Sequence, residues 1–367
     1  MKKGGSLPLL PTVLLLLHSL MACSLLAQGA PRAPHKILVS DADRRAAGES
    51  IMVFGHSLTA KTQAGSALKH NEQSRRSKRP VVLAGSAERG QGGEGNDQLR
   101  APGDLTFFGG PTVPFAESHP IFLVPPGPSC MANTCWGDPN TFLEDFGHSG
   151  LSHVTDQYVG QRADNRYTLG DEFVLPFTPT PPSAPLLDAD IRAIVHAAAA
   201  FSGESGYNHV FHVFLPPGQD ECFSKSATFC YSPDVPASFA FCAYHNSVTF
   251  PDIGHVLYTV QPFQNVVECN VRPDTPNGQL IDSTNSTLSH ELIETITDPD
   301  GDAWFNFTNV ALAGMEIADE CQFFVVLEVG PSAFASFGDP TTFRVGRQVF
   351  AAQPEYSNQD HACAIQP

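Results

Sequence analysis

Ser289-His290-Glu291-Leu292-Ile293-Glu294-Thr295-Ile296-Thr297-Asp298-Pro299 spells His-Glu-x-x-Glu, a carboxylate version of the helical metal motif His-Glu-x-x-His. Residues four apart share one face of a helix, so His290 and Glu294 can reach a single ion while Glu291 projects beside it. The competing reading is a solvated, Glu-rich helix face.

A catalytic zinc takes three protein ligands and leaves one position open to water. His290 and Glu294 supply two. Glu316, which follows Glu294 by 22 positions, is the expected third, with Asp319 orienting His290 through a hydrogen bond. Asp298, Asp300 and Asp319 are the alternative ligands, and His245 is a more distant one. Glu291 is then the general base on metal-activated water. Two anionic ligands beside Glu291 make the ion less electrophilic, so Ca2+ or Mn2+ competes with Zn2+ as the cofactor. His209 and His212, on opposite faces of a regular strand, read as packed histidines, and Trp304 and Phe305 as core aromatics.

Working outward, Lys2 and Lys3 precede an apolar run from Leu9 to Leu17, and Ala27-Gln28-Gly29 offers a small-x-small cleavage site. This pattern predicts a signal peptide over 1–29 and a secreted, extracellular chain. The apolar run is too short to span a bilayer. Lipoprotein anchoring at Cys23 is the weaker alternative. Cys130, Cys135, Cys222, Cys230, Cys242, Cys269, Cys321 and Cys363 remain after the signal, an even set that predicts a disulfide framework. Spacing leaves connectivity open, although Cys130 to Cys135 and Cys222 to Cys230 permit local loops, and Cys363 is one mate for Cys321. Asn285 and Asn306 begin N-glycosylation sequons.

Charge is unevenly distributed. Of the 21 Lys and Arg, 14 precede residue 119, but only 9 of the 38 Asp and Glu do, which leaves residues 119–367 at a formal −22. A surface this acidic repels nucleic acid and anionic lipid and suits cations, basic peptides or simple solubility, of which solubility is the default. The Gly/Ser/Gln/Arg-rich composition predicts a disordered low-complexity leader or propeptide over 30–117. Arg75 to Arg79 marks either a dibasic processing site or a solvated charge cluster.

Residues 118–367 are expected to form one globular domain. Strands are predicted at His119–Val124, His209–Leu215, Ser238–Tyr244, Gly254–Val260, Phe323–Val329 and Phe343–Ala351. Helical turns are predicted over Thr141–Tyr158, and a helix over Ile191–Phe201 capped by Asp188 or Asp190. The motif helix is expected to be capped from Asp282 to Thr287. Strands on both sides of a motif helix imply an α+β fold, a zincin-like domain with a mixed sheet, stabilised by disulfides.

Leu288-Ser289-His290-Glu291-Leu292-Ile293-Glu294, Thr297-Asp298-Pro299, Asp302-Ala303-Trp304 and Glu316-Ile317-Ala318-Asp319-Glu320-Cys321 occur in the order seen in the phosphate-induced protein (Exordium-like) family and its microbial relatives, which this chain resembles. Phe241-Cys242-Ala243-Tyr244-His245 is similar to that family's Phe-Cys-Gly-Phe-His element, and Cys269 sits where a cysteine follows the next strand. The resemblance covers roughly 119–367. It implies a secreted domain with a zincin-like His-Glu motif, and in plants a growth-regulating role at the cell wall. Asp298 stands where plant members carry Asn, Thr295-Ile296 differ, and the glycine-rich stretch after the Asp-x-Cys element is missing, so the plant role does not transfer. The resulting expectation is a secreted metal-dependent hydrolase, a zinc peptidase, whose partner is a peptide or, as the resemblance implies, a cell-wall or other extracellular ligand; alternatives are a silent extracellular binding or signalling module of the Exordium-like type and a structural wall protein.

Overall fold

The computed structural model describes residues 36–37, 104–127, 130, 135–160, 164–226, 229–307, 314–321, 341–345 and 348–367. The signal peptide, Cys23, the Arg75–Arg79 cluster and the strand expected at Phe323–Val329 lie outside them.

In chain order the strands are β1 (Lys36–Ile37), β2 (Thr106–Phe107), β3 (Ala116–Val124), β4 (Tyr167–Leu169), β5 (Glu172–Pro176), β6 (Leu186–Leu187), β7 (Gly206–Phe214), β8 (Glu221–Cys222), β9 (Cys230–Tyr231), β10 (Tyr244–Phe250), β11 (Gly254–Gln261), β12 (Trp304–Phe305), β13 (Thr341–Val345), β14 (Gln348–Ala352), β15 (Glu355–Ser357) and β16 (Ala362–Ala364). The helices are α1 (Pro139–Phe146), α2 (Gly150–Val154), α3 (Asp156–Val159), α4 (Asp188–Ser202) and α5 (Gln279–Thr297). The architecture is mixed α+β.

A seven-stranded sheet runs β1-β5-β3-β7-β11-β10, with β4 on β3. Only the β10/β11 hairpin is antiparallel; the other pairs are parallel and need crossover connections. Parallel strands covered on both faces read as continuous apolar runs. Accordingly Ile121-Phe122-Leu123 and Val210 to Phe214 are buried throughout. Ile121, Leu123, Phe211 and Val213 face α4 through Ile191, Ile194 and Val195. Phe122, Val210, Phe214 and Leu257 face the other way, onto Phe142 and Phe146 of α1 and Leu288, Leu292 and Ile296 of α5.

α5 is buried along nearly its whole length, although its sequence is rich in Ser, Thr and Asn. Its hydroxyls make this burial tolerable by bonding back to the helix's own carbonyls. Thr284 Oγ1 donates to Leu280 O (3.1 Å), Ser289 Oγ to Ser286 O (2.9 Å), Thr295 Oγ1 to Glu291 O (2.6 Å) and Thr297 Oγ1 to Ile293 O (3.1 Å). Each hydroxyl thus carries its own acceptor into the core.

Several element boundaries move. α5 begins at Gln279 rather than at 282–287, and Asp282 acts from its first turn, accepting from Asn277 N (2.8 Å). At α4 it is Asp190 that reaches back to Leu187 N (2.9 Å). Asp188 instead accepts from the hydroxyls of Tyr258 (2.6 Å) and Tyr244 (3.0 Å). The strand expected at Ser238–Tyr244 starts only at Tyr244, because its register on β11 begins with Tyr244 opposite Val260. The expected strand Phe343–Ala351 divides into the β13/β14 pair.

Residues 104–117, assigned by composition to the leader, belong to the fold. Leu105 and Val113 are buried, β2 pairs with β12, and Phe108 stacks on Phe305 with ring centroids 4.0 Å apart. Four disulfides, Cys130–Cys135, Cys222–Cys230, Cys242–Cys269 and Cys321–Cys363, fit a chain that folds in an oxidising compartment. Among the described residues, no helix is long and apolar enough to cross a membrane.

Candidate metal centre

Four segments converge on the motif. α5 carries His290, Glu291 and Glu294; β10 carries His245 at its second position; residues 317–321 form a helical turn that presents Asp319; and Gln353 follows β14 while Glu355 opens β15. Cys321–Cys363 ties the Asp319 turn to β16. All these side chains are buried.

The spacing of four on α5 places His290 Nε2 3.2 Å from Glu294 Oε1, and Asp319 Oδ1 lies 3.6 Å from the same nitrogen. Three atoms held about 2.05 Å from one tetrahedral ion stand about 3.3 Å apart, so both distances fit a shared cation. The ligand-type atoms of His290, Glu294 and Asp319 lie within 4.8 Å of one another.

The tautomer of His290 supports the same reading. Gln353 Nε2 donates to Ala318 O (2.5 Å), which turns Gln353 Oε1 toward His290 Nδ1 at 3.3 Å. An amide oxygen only accepts, so Nδ1 carries a hydrogen, and Nε2 is the nitrogen turned towards the two carboxylates. Carboxylate oxygens this close to Nε2 call for a proton or a cation between them. This hydrogen-bonded His, backed by an oxygen on its far nitrogen, is the usual form of a metal-binding imidazole.

A second group shares Glu294. His245, Glu291 and Glu294 also offer ligand atoms within 4.8 Å of one another, and His245 Nε2 stands 3.7 Å from Glu294 Oε2. Glu316, expected to be a ligand beside His290, meets His245 instead: its Oε2 is 3.0 Å from His245 Nε2. Asp319, expected to orient His290, approaches it with its carboxylate, and its backbone N–H donates to Glu294 Oε1 (3.2 Å). Asp298 closes the loop after α5, accepting from Ala303 N (2.7 Å). Asp300 is held elsewhere, by the Tyr207 hydroxyl (2.5 Å) and by His255 Nε2 (3.0 Å).

Electrostatics sets the character of the centre. Glu291, Glu294, Asp298, Glu316, Asp319 and Glu355 bring six buried carboxyl groups together with only two imidazoles. The buried Arg166 and Arg192 are committed to Asp156 and Asp188. Burial, then the charges of Glu294, Asp319 and Glu291, pushes the Glu355 carboxyl well above its ordinary range. Burial also raises Glu316, reinforced by Glu294 and Asp298 and opposed by His245. Asp298 is lifted to about 6, chiefly by burial. Burial alone would depress His245, but Glu316, Glu294 and Glu291 outweigh it and bring the ring to about 10. The His245–Glu316 pair therefore retains a proton at neutral pH. Buried anions in this excess must either take up protons or hold a cation.

Gln353 and Glu355 carry no motif and were not anticipated. Both sequons lie in the packed interior: Asn285 is buried within α5, and Asn306 is buried with its amide donating to Glu320. No family model, curated protein or solved structure matches the chain.

Proposed function

We propose that this chain is a metal-dependent hydrolase of the extracellular space, acting on peptide bonds. The observation that carries the reading is the convergence of His290 Nε2 with Glu294 Oε1 and Asp319 Oδ1 over 3.2 and 3.6 Å. His290, Glu294 and Asp319 would hold the ion. A bound divalent cation polarises a carbonyl and acidifies water towards neutral pH. Glu291, adjacent to His290 on α5, is the base that takes the water's proton and returns it to the leaving amine. His245, paired through Nε2 with Glu316 Oε2 over 3.0 Å, would add positive charge beside the ion's ligands. Zn2+ suits the imidazole, whereas the surrounding carboxylates also suit Ca2+ or Mn2+. The signal-like N-terminus and the four disulfides support export. The resemblance to Exordium-like proteins points to the same compartment.

One observation favours a second reading, a silent extracellular module that keeps the ion for stability. Every side chain of the centre is buried, with His290, Glu291 and Glu294 each at 0 % exposure. Comparison of wild type with Glu291→Gln on a peptide library, each with its metal content measured, separates the two. The hydrolase reading expects cleavage by wild type and loss of at least about 100-fold in kcat for Glu291→Gln with metal retained. Absence of cleavage by the metal-loaded wild type would favour the silent module.

A further inference from the structure

A second cluster of ligand-type side chains stands apart from the α5 centre, at the start of the central parallel strands. Period-two alternation puts Glu117 and His119 of β3 on one face, and the β3/β7 register sets Glu117 directly opposite His209 and His119 opposite Phe211. α4 ends at Gly203, whose left-handed φ of 76° turns the chain so that Glu204 comes over the same face. Neither the α5 motif nor the reading of His209 as a packed histidine anticipates this convergence.

The cluster has the dimensions of a four-ligand site. His119 Nε2 lies 3.1 Å from His209 Nδ1 and 3.4 Å from Glu204 Oε2, while His209 Nδ1 lies 3.9 Å from Glu117 Oε2. The edge of a tetrahedron around zinc is about 3.3 Å, and these three separations bracket it. All four ligand-type atoms fall within 4.8 Å of one another.

His119 is built into place rather than loosely exposed. Its side chain is 0 % exposed, and its ring packs on Phe211 with centroids 4.9 Å apart. The ring also fills the space above Gly170, where an added Cβ would stand 2.4 Å from its Cε1. Burial, followed by the neighbouring His209, holds the ring to a pKa of about 4, with a smaller opposing contribution from the backbone and charge of Asp171. Burial raises Glu204, and Glu117 and Asp171 reinforce the effect against His209; a cation would relieve that crowding.

We propose that Glu117, His119, Glu204 and His209 form a second, peripheral binding site for a borderline divalent cation of the Zn2+ type, pinning the ends of β3, β7 and α4 together. Two imidazole nitrogens with two carboxylates select a late transition metal over Ca2+ or Mg2+. Glu117, His209 and Glu204 remain partly exposed, at 50 %, 21 % and 28 %, so the ion exchanges with solvent more readily than one in the buried α5 centre.

The test is a Zn2+ titration of the chelator-stripped full chain by calorimetry, with Glu204→Gln, His209→Gln and His290→Ala as variants. Both substitutions at the cluster lie on partly exposed side chains, and circular dichroism checks that each variant folds. Glu204→Gln and His209→Gln are each expected to lose one zinc equivalent per chain relative to wild type, whereas His290→Ala keeps that equivalent. The inference is overturned if the cluster variants retain the full wild-type stoichiometry, or if wild type binds no zinc outside the α5 centre. Because His290→Ala reports on α5 alone, failure of the hydrolase reading and failure of the second site give different patterns.

Discussion

Glu320 links the centre to stability in a way that can be measured. Its carboxyl is buried and accepts from the Asn306 amide. Burial, with smaller contributions from Asp104 and Asp319, raises its pKa from 4.5 to about 8 against the opposing bond from Asn306. Below pH 4.5 the folded and unfolded chains both hold this proton, so it contributes no difference. Between 4.5 and 8 the unfolded chain releases a proton that the folded chain retains, and stability falls as pH rises. At about 1.4 kcal/mol for each tenfold change in proton affinity, the whole interval amounts to about 5 kcal/mol, of which about 4 kcal/mol falls between pH 5 and 8.5. Glu320→Gln keeps an acceptor for Asn306 and removes the titration. Urea denaturation of the metal-free protein at both pH values, in wild type and variant, measures the difference. The variant should lose about 4 kcal/mol less stability than wild type over that interval. Equal losses in the two proteins, to within about 1 kcal/mol, would refute the burial argument for this group.

Replacing Cys321 and Cys363 together by Ser opens a loop of 42 residues, and chain entropy sets the loss at about 4 kcal/mol by denaturant titration; because the bond anchors the Asp319 turn, zinc affinity at the α5 centre should fall as well. Asp156→Asn leaves Arg166 buried without its counter-charge and should cost about 3–5 kcal/mol in the same assay. Glycosidase treatment of protein secreted from a glycosylating host should leave the mass unchanged at Asn285 and Asn306, since both are buried.

The parts of this protein legible in its sequence are those written locally. His290 and Glu294 meet because four residues make one turn of α5, and β3, β7 and β11 follow from their apolar runs. Short cysteine separations likewise anticipate the two local disulfides. The choice between Glu316 and Asp319 was not legible, because both lie on one short segment and only the turn at 317–321 decides which faces His290. Gln353 and Glu355 reach the centre from far along the chain, with no motif to mark them. The register of β2 on β12 is similarly long-range, which is why residues 104–117 resembled leader by composition. α5 misleads for another reason: its polar residues read as solvent-facing, yet hydroxyl-to-carbonyl bonds within the helix allow them to be buried. The Glu117/His119/Glu204/His209 cluster depends on strand pairing and on the exit of α4, neither of which spacing records.

The most direct measurement is anomalous X-ray scattering from crystals of the full chain loaded with Zn2+, collected on either side of the zinc absorption edge. The account predicts a peak bonded to His290 Nε2, Glu294 Oε1 and Asp319 Oδ1 at about 2.0–2.2 Å. A zinc-loaded crystal with no anomalous density between these three side chains would contradict it.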